Sequence, residues 1–161
     1  MKGNILNGIL IVAVIGIISA MVAGSSVKKG TLGKVTDTGL VATIYKSPSC
    51  GCCSRYGAYL EGIGYNVHEV GVEDMSSVKA DNGIPYELES CHTMEVGDYI
   101  IEGHVPEEAI QRLLTEKLDI KGIGMAGMPS GSPGMPGPKS GDFVIYEILH
   151  GGTKGAVFMT L

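Results

Sequence analysis

Three cysteines within four residues, in Ser47-Pro48-Ser49-Cys50-Gly51-Cys52-Cys53-Ser54, constrain this chain more than any other feature. Thiols this crowded do not pack as ordinary core residues; they suit soft metal ions or thiol-disulfide exchange. They also sit where an expected strand becomes an expected helix. The placement of the fourth cysteine, Cys91, therefore decides what the first three can do.

With 161 residues the chain is long enough for one domain with a real core, plus a tail or anchor. A net charge of -5 and the absence of any Lys/Arg run leave no footprint for nucleic acid. Trp is absent and Phe occurs twice, so the core must rely on Ile, Val, Leu and Tyr.

Residues 5–24 (ILNGILIVAVIGIISAMVAG) form an apolar run that spans roughly 30 Å as a helix, about the thickness of a bilayer's hydrocarbon region. We read residues 1–24 as a membrane anchor or signal segment and favour an uncleaved anchor, since the run is long for the apolar part of a signal peptide. The competing reading takes Lys2 as its basic start and Val22-Ala23-Gly24 as the cleavage site. Lys2 lies on one side of the run and Lys28, Lys29 and Lys34 on the other, so charge does not orient it. Residues 25–39 are polar and read as a linker.

The domain is expected over residues 40–161. Residues 40–45 (LVATIY) form a short β-branched run expected to be a buried strand. Tyr56, Tyr59, Leu60 and Ile63 then fall at helical spacing, and Gly62 and Gly64 end the helix. Residues 65–72 alternate as a strand. Asp74 is an N-cap for a short helix through Asn82, and Gly97-Asp98 is the turn of a hairpin joining 93–96 to 99–102. Pro106 fits a first helical position, ahead of the stripe Ile110, Leu113, Leu114 and Leu118. Residues 122–141, rich in Gly, Pro and Ser, are expected to hold neither helix nor central strand. Residues 143–149 and 156–161 read as a closing hairpin. The expected fold is α/β, a thioredoxin-like core in the order βαβαββα, with a C-terminal β-hairpin and an N-terminal transmembrane helix. In that core Cys91 and His92, at the start of the third strand, lie beside the cysteine motif.

Cys50-x-x-Cys53 has the spacing of a redox pair, and Cys50-x-Cys52 next to Cys53 has the dense spacing of metal thiolate sites. A helix N-terminus favours either chemistry, because its free N–H groups stabilise a thiolate by about 0.3–1 kcal/mol. The bland alternative is a structural disulfide, for instance one closing a loop onto Cys91. As a metal site, four thiolates with Met nearby and no acidic cluster point to Cu(I) first and Zn(II) second, and speak against Mg(II) and Ca(II). Sulfurs this close also suit a small multinuclear Cu(I) cluster. His92 and His104 are further candidate ligands. Strand alternation leads us to expect one of Cys91 and His92 to face the cysteines and the other to face away. His68 and His150 read as surface residues. Met125, Met128 and Met135 lack helical spacing and are either loop plugs or thioether ligands for Cu(I).

Residues 42–135 carry four motifs in order: Tyr45-Lys46-Ser47-Pro48-Ser49-Cys50-Gly51-Cys52-Cys53, Glu89-Ser90-Cys91-His92-Thr93, Glu102-Gly103-His104-Val105-Pro106 and Gly127-Met128-Pro129-Ser130-Gly131-Ser132-Pro133-Gly134-Met135. On these the chain resembles the CopG-like copper-resistance family, small bacterial and archaeal proteins long filed as a domain of unknown function. The resemblance implies a thioredoxin-like fold, export across the inner membrane, and Cu(I) held by the C-x-C-C cysteines with the later cysteine. The long apolar N-terminus departs from that pattern and implies a tethered form. The expected function is a membrane-anchored, extracytoplasmic Cu(I)-binding protein for copper tolerance or trafficking, using Cys50, Cys52, Cys53 and Cys91. A copper-transfer protein is its expected partner, though its identity is not written in the chain. One rival is a thiol-disulfide or copper oxidoreductase using Cys50 and Cys53, with Cys52 or Cys91 resolving. A second is a structural zinc site.

Overall fold

The structure is a computed structural model that describes residues 38–161. The apolar run 5–24 and nearly all of the linker lie outside the described residues. Among those described, no helix is long and apolar enough to cross a membrane.

The fold is α/β: one mixed seven-stranded sheet and three helices. Strand β1 (Val41–Lys46) leads through a turn into helix α1 (Gly51–Gly62), and β2 (Asn66–Gly71) returns parallel to β1. Helix α2 (Met75–Asp81) follows, capped as expected by Asp74, whose carboxylate accepts from the N–H groups of Ser76 and Ser77 at 3.0 and 3.4 Å. A hairpin of β3 (His92–Val96) and β4 (Tyr99–Glu102) turns at Gly97-Asp98, with Gly97 at φ 58°. Helix α3 (Glu107–Glu116) begins one residue after Pro106, which stands in extended conformation as its cap. After β5 (Gly122–Gly124), strands β6 (Val144–Ile148) and β7 (Lys154–Thr160) close the sheet as a hairpin. The strand order is β2-β1-β3-β4-β5-β6-β7. The expected order is observed through α3 and again in the closing hairpin of β6 and β7, with β5 added between them.

Neighbouring residues on a strand point to opposite faces, and the two cores follow from this. Ile101 joins Ile44, Tyr56, Leu60, Met94, Ile110 and Leu113 in the main core, which α1 and α3 cover. Ile100 instead packs with Ile84, Leu88 and Ile148 on the other face. Each fully buried aliphatic side chain contributes about 1.5–3 kcal/mol, so the larger cluster anchors the face that carries the cysteines.

Two expectations need correction. Residues 122–141 do contain an interior strand, because β5 pairs with both β4 and β6. Glycine permits this: a Cβ on Gly122 would collide with the backbone carbonyl of Ile100. Met125 is a core residue, 2% exposed in the main cluster, although its spacing argued against that. It is placed by following β5, which no helical or strand period could reveal.

Candidate metal centre

Helix α1 opens on the cysteines. Cys50 is its N-cap (φ -73°, ψ 92°) and makes no side-chain capping bond, while its N–H donates to Ser47 O at 2.9 Å and closes the turn from β1. Cys50 and Cys53 are joined by a disulfide with Cα atoms 5.4 Å apart; Cys52 and Cys91 are free thiols. Cys53 is fully buried and the other three are partly exposed. The sulfurs of Cys50 and Cys52 lie 3.5 Å apart, and those of Cys52 and Cys91 3.9 Å. All four cysteines are therefore brought together.

Cys91 reaches α1 because β3 runs antiparallel to β1 with Lys46 opposite His92, so the start of β3 lies beside the end of β1. A buried polar network holds this turn. Glu102 accepts from Ser90 N–H at 2.7 Å and Thr93 Oγ1 at 2.6 Å, and pairs with the Lys79 ammonium from α2. Burial raises the Glu102 carboxyl above its ordinary pKa, an effect that the Lys79 charge and these hydrogen bonds oppose. Gly103, at φ 80°, lets the chain pass closely here: a Cβ would meet Met125 O at 2.6 Å and Ser90 Oγ at 2.7 Å.

Cys91 and His92 both face the site, against the alternation expected of them. The reason is local, since Cys91 lies on a bend and β3 begins only at His92. His92 Nδ1 is 3.5 Å from Cys91 Sγ, and His104 Nε2 is 3.0 Å from it. His104 Nδ1 lies 2.6 Å from Pro133 O. A carbonyl only accepts, so Nδ1 carries the proton and Nε2 presents its lone pair to the sulfur. Both imidazoles are fully buried and rest against the ring of Tyr56, at centroid distances of 4.7 Å for His92 and 5.4 Å for His104. Tyr56 donates its hydroxyl to Val105 O at 2.8 Å.

Burial sets the protonation states. His92 is brought down to about 3 by desolvation, then by His104 and Lys79, and His104 is lowered mainly by desolvation. Both rings are neutral near pH 7, the form that ligates metals. Cys91 is pushed up to about 12, first by burial and then by Cys52. It lies off the helix terminus, so the stabilisation expected for thiolates on α1 does not extend to it.

Two donor groups result, Cys50/Cys52/Cys53/Cys91 and Cys91/His92/His104, each with its ligand atoms within 4.8 Å of one another. Cys91 belongs to both. His68 and His150 are exposed as expected, and Met128 stands 51% exposed. Sequence reading missed Tyr56 as the wall behind the imidazoles, as well as the Lys79–Glu102 pair. Glu102 sits in the Glu102-Gly103-His104 motif, and its charge beside a ligand candidate was the available signal.

The protein family of unknown function DUF411 matches residues 88–135, which include Cys91, His92 and His104. Two solved structures of the copper resistance protein CopG are similar to this chain. Form 2 is 34% identical with a TM-score of 0.70, over 76% of this chain and 98% of that one. Form 1 is 34% identical with a TM-score of 0.69, over 75% and 96%. No curated protein matches the chain.

Proposed function

Since the chain belongs to the CopG-like family DUF411, we propose that it is an extracytoplasmic Cu(I)-binding protein for copper tolerance or trafficking. Its thioredoxin-like domain would be tethered through the apolar run 5–24. The observation that carries this reading is the convergence of four sulfurs and two neutral imidazoles from segments some 40 residues apart in sequence. Such a donor set, with no carboxylate in it, matches a soft monovalent ion. The His92 atom that faces the sulfurs is Nδ1, 3.5 Å from Cys91 Sγ, and ligation through it would leave the proton on Nε2, which is buried and has no hydrogen-bond partner among the described residues. With Cys91 common to both groups, a bridging thiolate can join copper ions into a small cluster.

Binding through all four sulfurs requires the dithiol form of Cys50 and Cys53. Two electrons and two protons, supplied by a dithiol reductant that becomes a disulfide, regenerate it. Each thiol then releases its proton as copper binds. The test is copper content and Cu(I)-thiolate ultraviolet absorption of the reduced full-length chain, prepared anaerobically beside the four Cys→Ser variants. Unchanged copper in all four would end this reading. Zinc bound in copper's place, with unfolding on chelation, would favour a structural zinc site.

The Cys50–Cys53 disulfide at the start of α1 supports a second reading, a thiol-disulfide or copper oxidoreductase with Cys52 or Cys91 as resolving thiol. Turnover of a disulfide substrate by metal-free protein, lost in Cys50→Ser, would establish it.

A further inference from the structure

The loop around Pro133 was expected to act, if at all, through its methionines. Its backbone makes the contacts that matter. Gly134, at φ 79°, lies against the first turn of α1, where a Cβ would meet Tyr56 N at 2.7 Å and Cys52 O at 2.9 Å. The loop is braced internally: Ser132 Oγ donates to Pro129 O at 2.7 Å, and Ser130 Oγ to Pro138 O at 3.0 Å. A single side chain of α1 grips it, as exposed Arg55 donates Nε–H to Gly134 O at 2.9 Å. One residue earlier, the Pro133 carbonyl holds the proton on His104 Nδ1.

We propose that Arg55 is a positioning residue for the metal centre: by pinning Gly134 to α1 it sets the Pro133 carbonyl, which selects the His104 tautomer whose Nε2 lone pair faces Cys91. The proposal rests on the copper reading only for its consequence, a ligand prepared in the metal-binding tautomer. Carbonyl partners of ligating histidines act in this way generally, and their loss lowers metal affinity about 10–100-fold.

The test is side-chain ¹⁵N NMR of the histidines in the metal-free full-length chain, comparing wild type, Arg55→Ala and Gly134→Ala. The second variant keeps the Arg55 charge but forces the loop away from α1. Wild type should show His104 protonated at Nδ1, and both variants should gain the Nε2–H tautomer; Cu(I) affinity, read by competition with a chromophoric chelator, should fall about 10–100-fold. Should Gly134→Ala fail to fold, Arg55→Ala decides alone, because its side chain is exposed. The proposal is overturned if wild-type His104 is not protonated at Nδ1, or if Arg55→Ala leaves the tautomer unchanged, including where affinity falls, since that would be an effect of charge. A tautomer shift in the variants, found together with a wild-type chain that binds no copper, would sink the copper reading and leave this one standing.

Discussion

His104 presents Nε2 to the Cys91 sulfur at 3.0 Å, and through this contact the thiols of α1 join a pair of imidazoles borne by other segments. Cys91 is the hinge of the arrangement, because it is the one residue common to both donor groups. Cys91→Ser should therefore lower bound copper more than Cys50→Ser, Cys52→Ser or Cys53→Ser. Metal analysis of the four reduced variants at equal protein concentration checks the ranking, and a smaller loss at Cys91 than at Cys52 would refute it.

Copper loading should depend on thiol state. The oxidised chain should show two titratable thiols, Cys52 and Cys91, and the reduced chain four, with copper capacity rising on reduction. Thiol titration of the denatured protein beside copper analysis gives the comparison. Equal copper capacity in both forms would place Cys50 and Cys53 outside the site.

Tyr56 should separate packing from hydrogen bonding. Tyr56→Phe removes only the bond to Val105 O and should cost about 0.5–1.5 kcal/mol while leaving copper binding near wild type. Tyr56→Ala removes the wall behind both imidazoles and should cost about 3–5 kcal/mol, weakening copper binding as well. Denaturant unfolding and a copper competition assay read the two effects separately.

The Lys79–Glu102 pair should be costly to break and inexpensive to replace. Lys79→Met leaves a buried carboxyl without its counter-charge and should destabilise by about 3–5 kcal/mol, whereas Lys79→Met with Glu102→Leu should recover part of that loss. The double variant should still disturb Ser90 and Thr93, which lose their shared acceptor. Chemical denaturation of the two variants would show equal stability if the charges were not coupled.

Glycine placement gives a purely steric check. Gly122→Ala should cost about 3 kcal/mol or more, since its Cβ collides with the Ile100 carbonyl within the β4–β5 pair. Gly62→Ala, where a Cβ meets nothing within 4 Å, should be near neutral or slightly stabilising. Comparable thermal midpoints for the two would contradict the close approach at Gly122.

Much of this protein is local and therefore readable in the chain. The helical spacing of Tyr56 and Leu60, the Asp74 cap and the Gly97-Asp98 turn act over one or two turns of backbone, and each appears where its chemistry requires. The crowding of Cys50, Cys52 and Cys53 is likewise a matter of covalent spacing. Strand β5 was not readable, because its glycines carry no period and are selected by contact with Ile100 on another strand. The facing of both Cys91 and His92 was hidden for a related reason: alternation holds only within a strand, and pairing with β1 decides where β3 begins. By itself, then, the sequence determined the elements other than β5, the order in which they follow one another and the thiol-rich motif, since propensity, capping and spacing are short-range. Only the tertiary structure decided that Cys91 joins two donor groups, that Tyr56 backs both imidazoles, and that a backbone carbonyl at Pro133 chooses the His104 tautomer. Those relations depend on distances between segments remote in the chain, which packing alone sets.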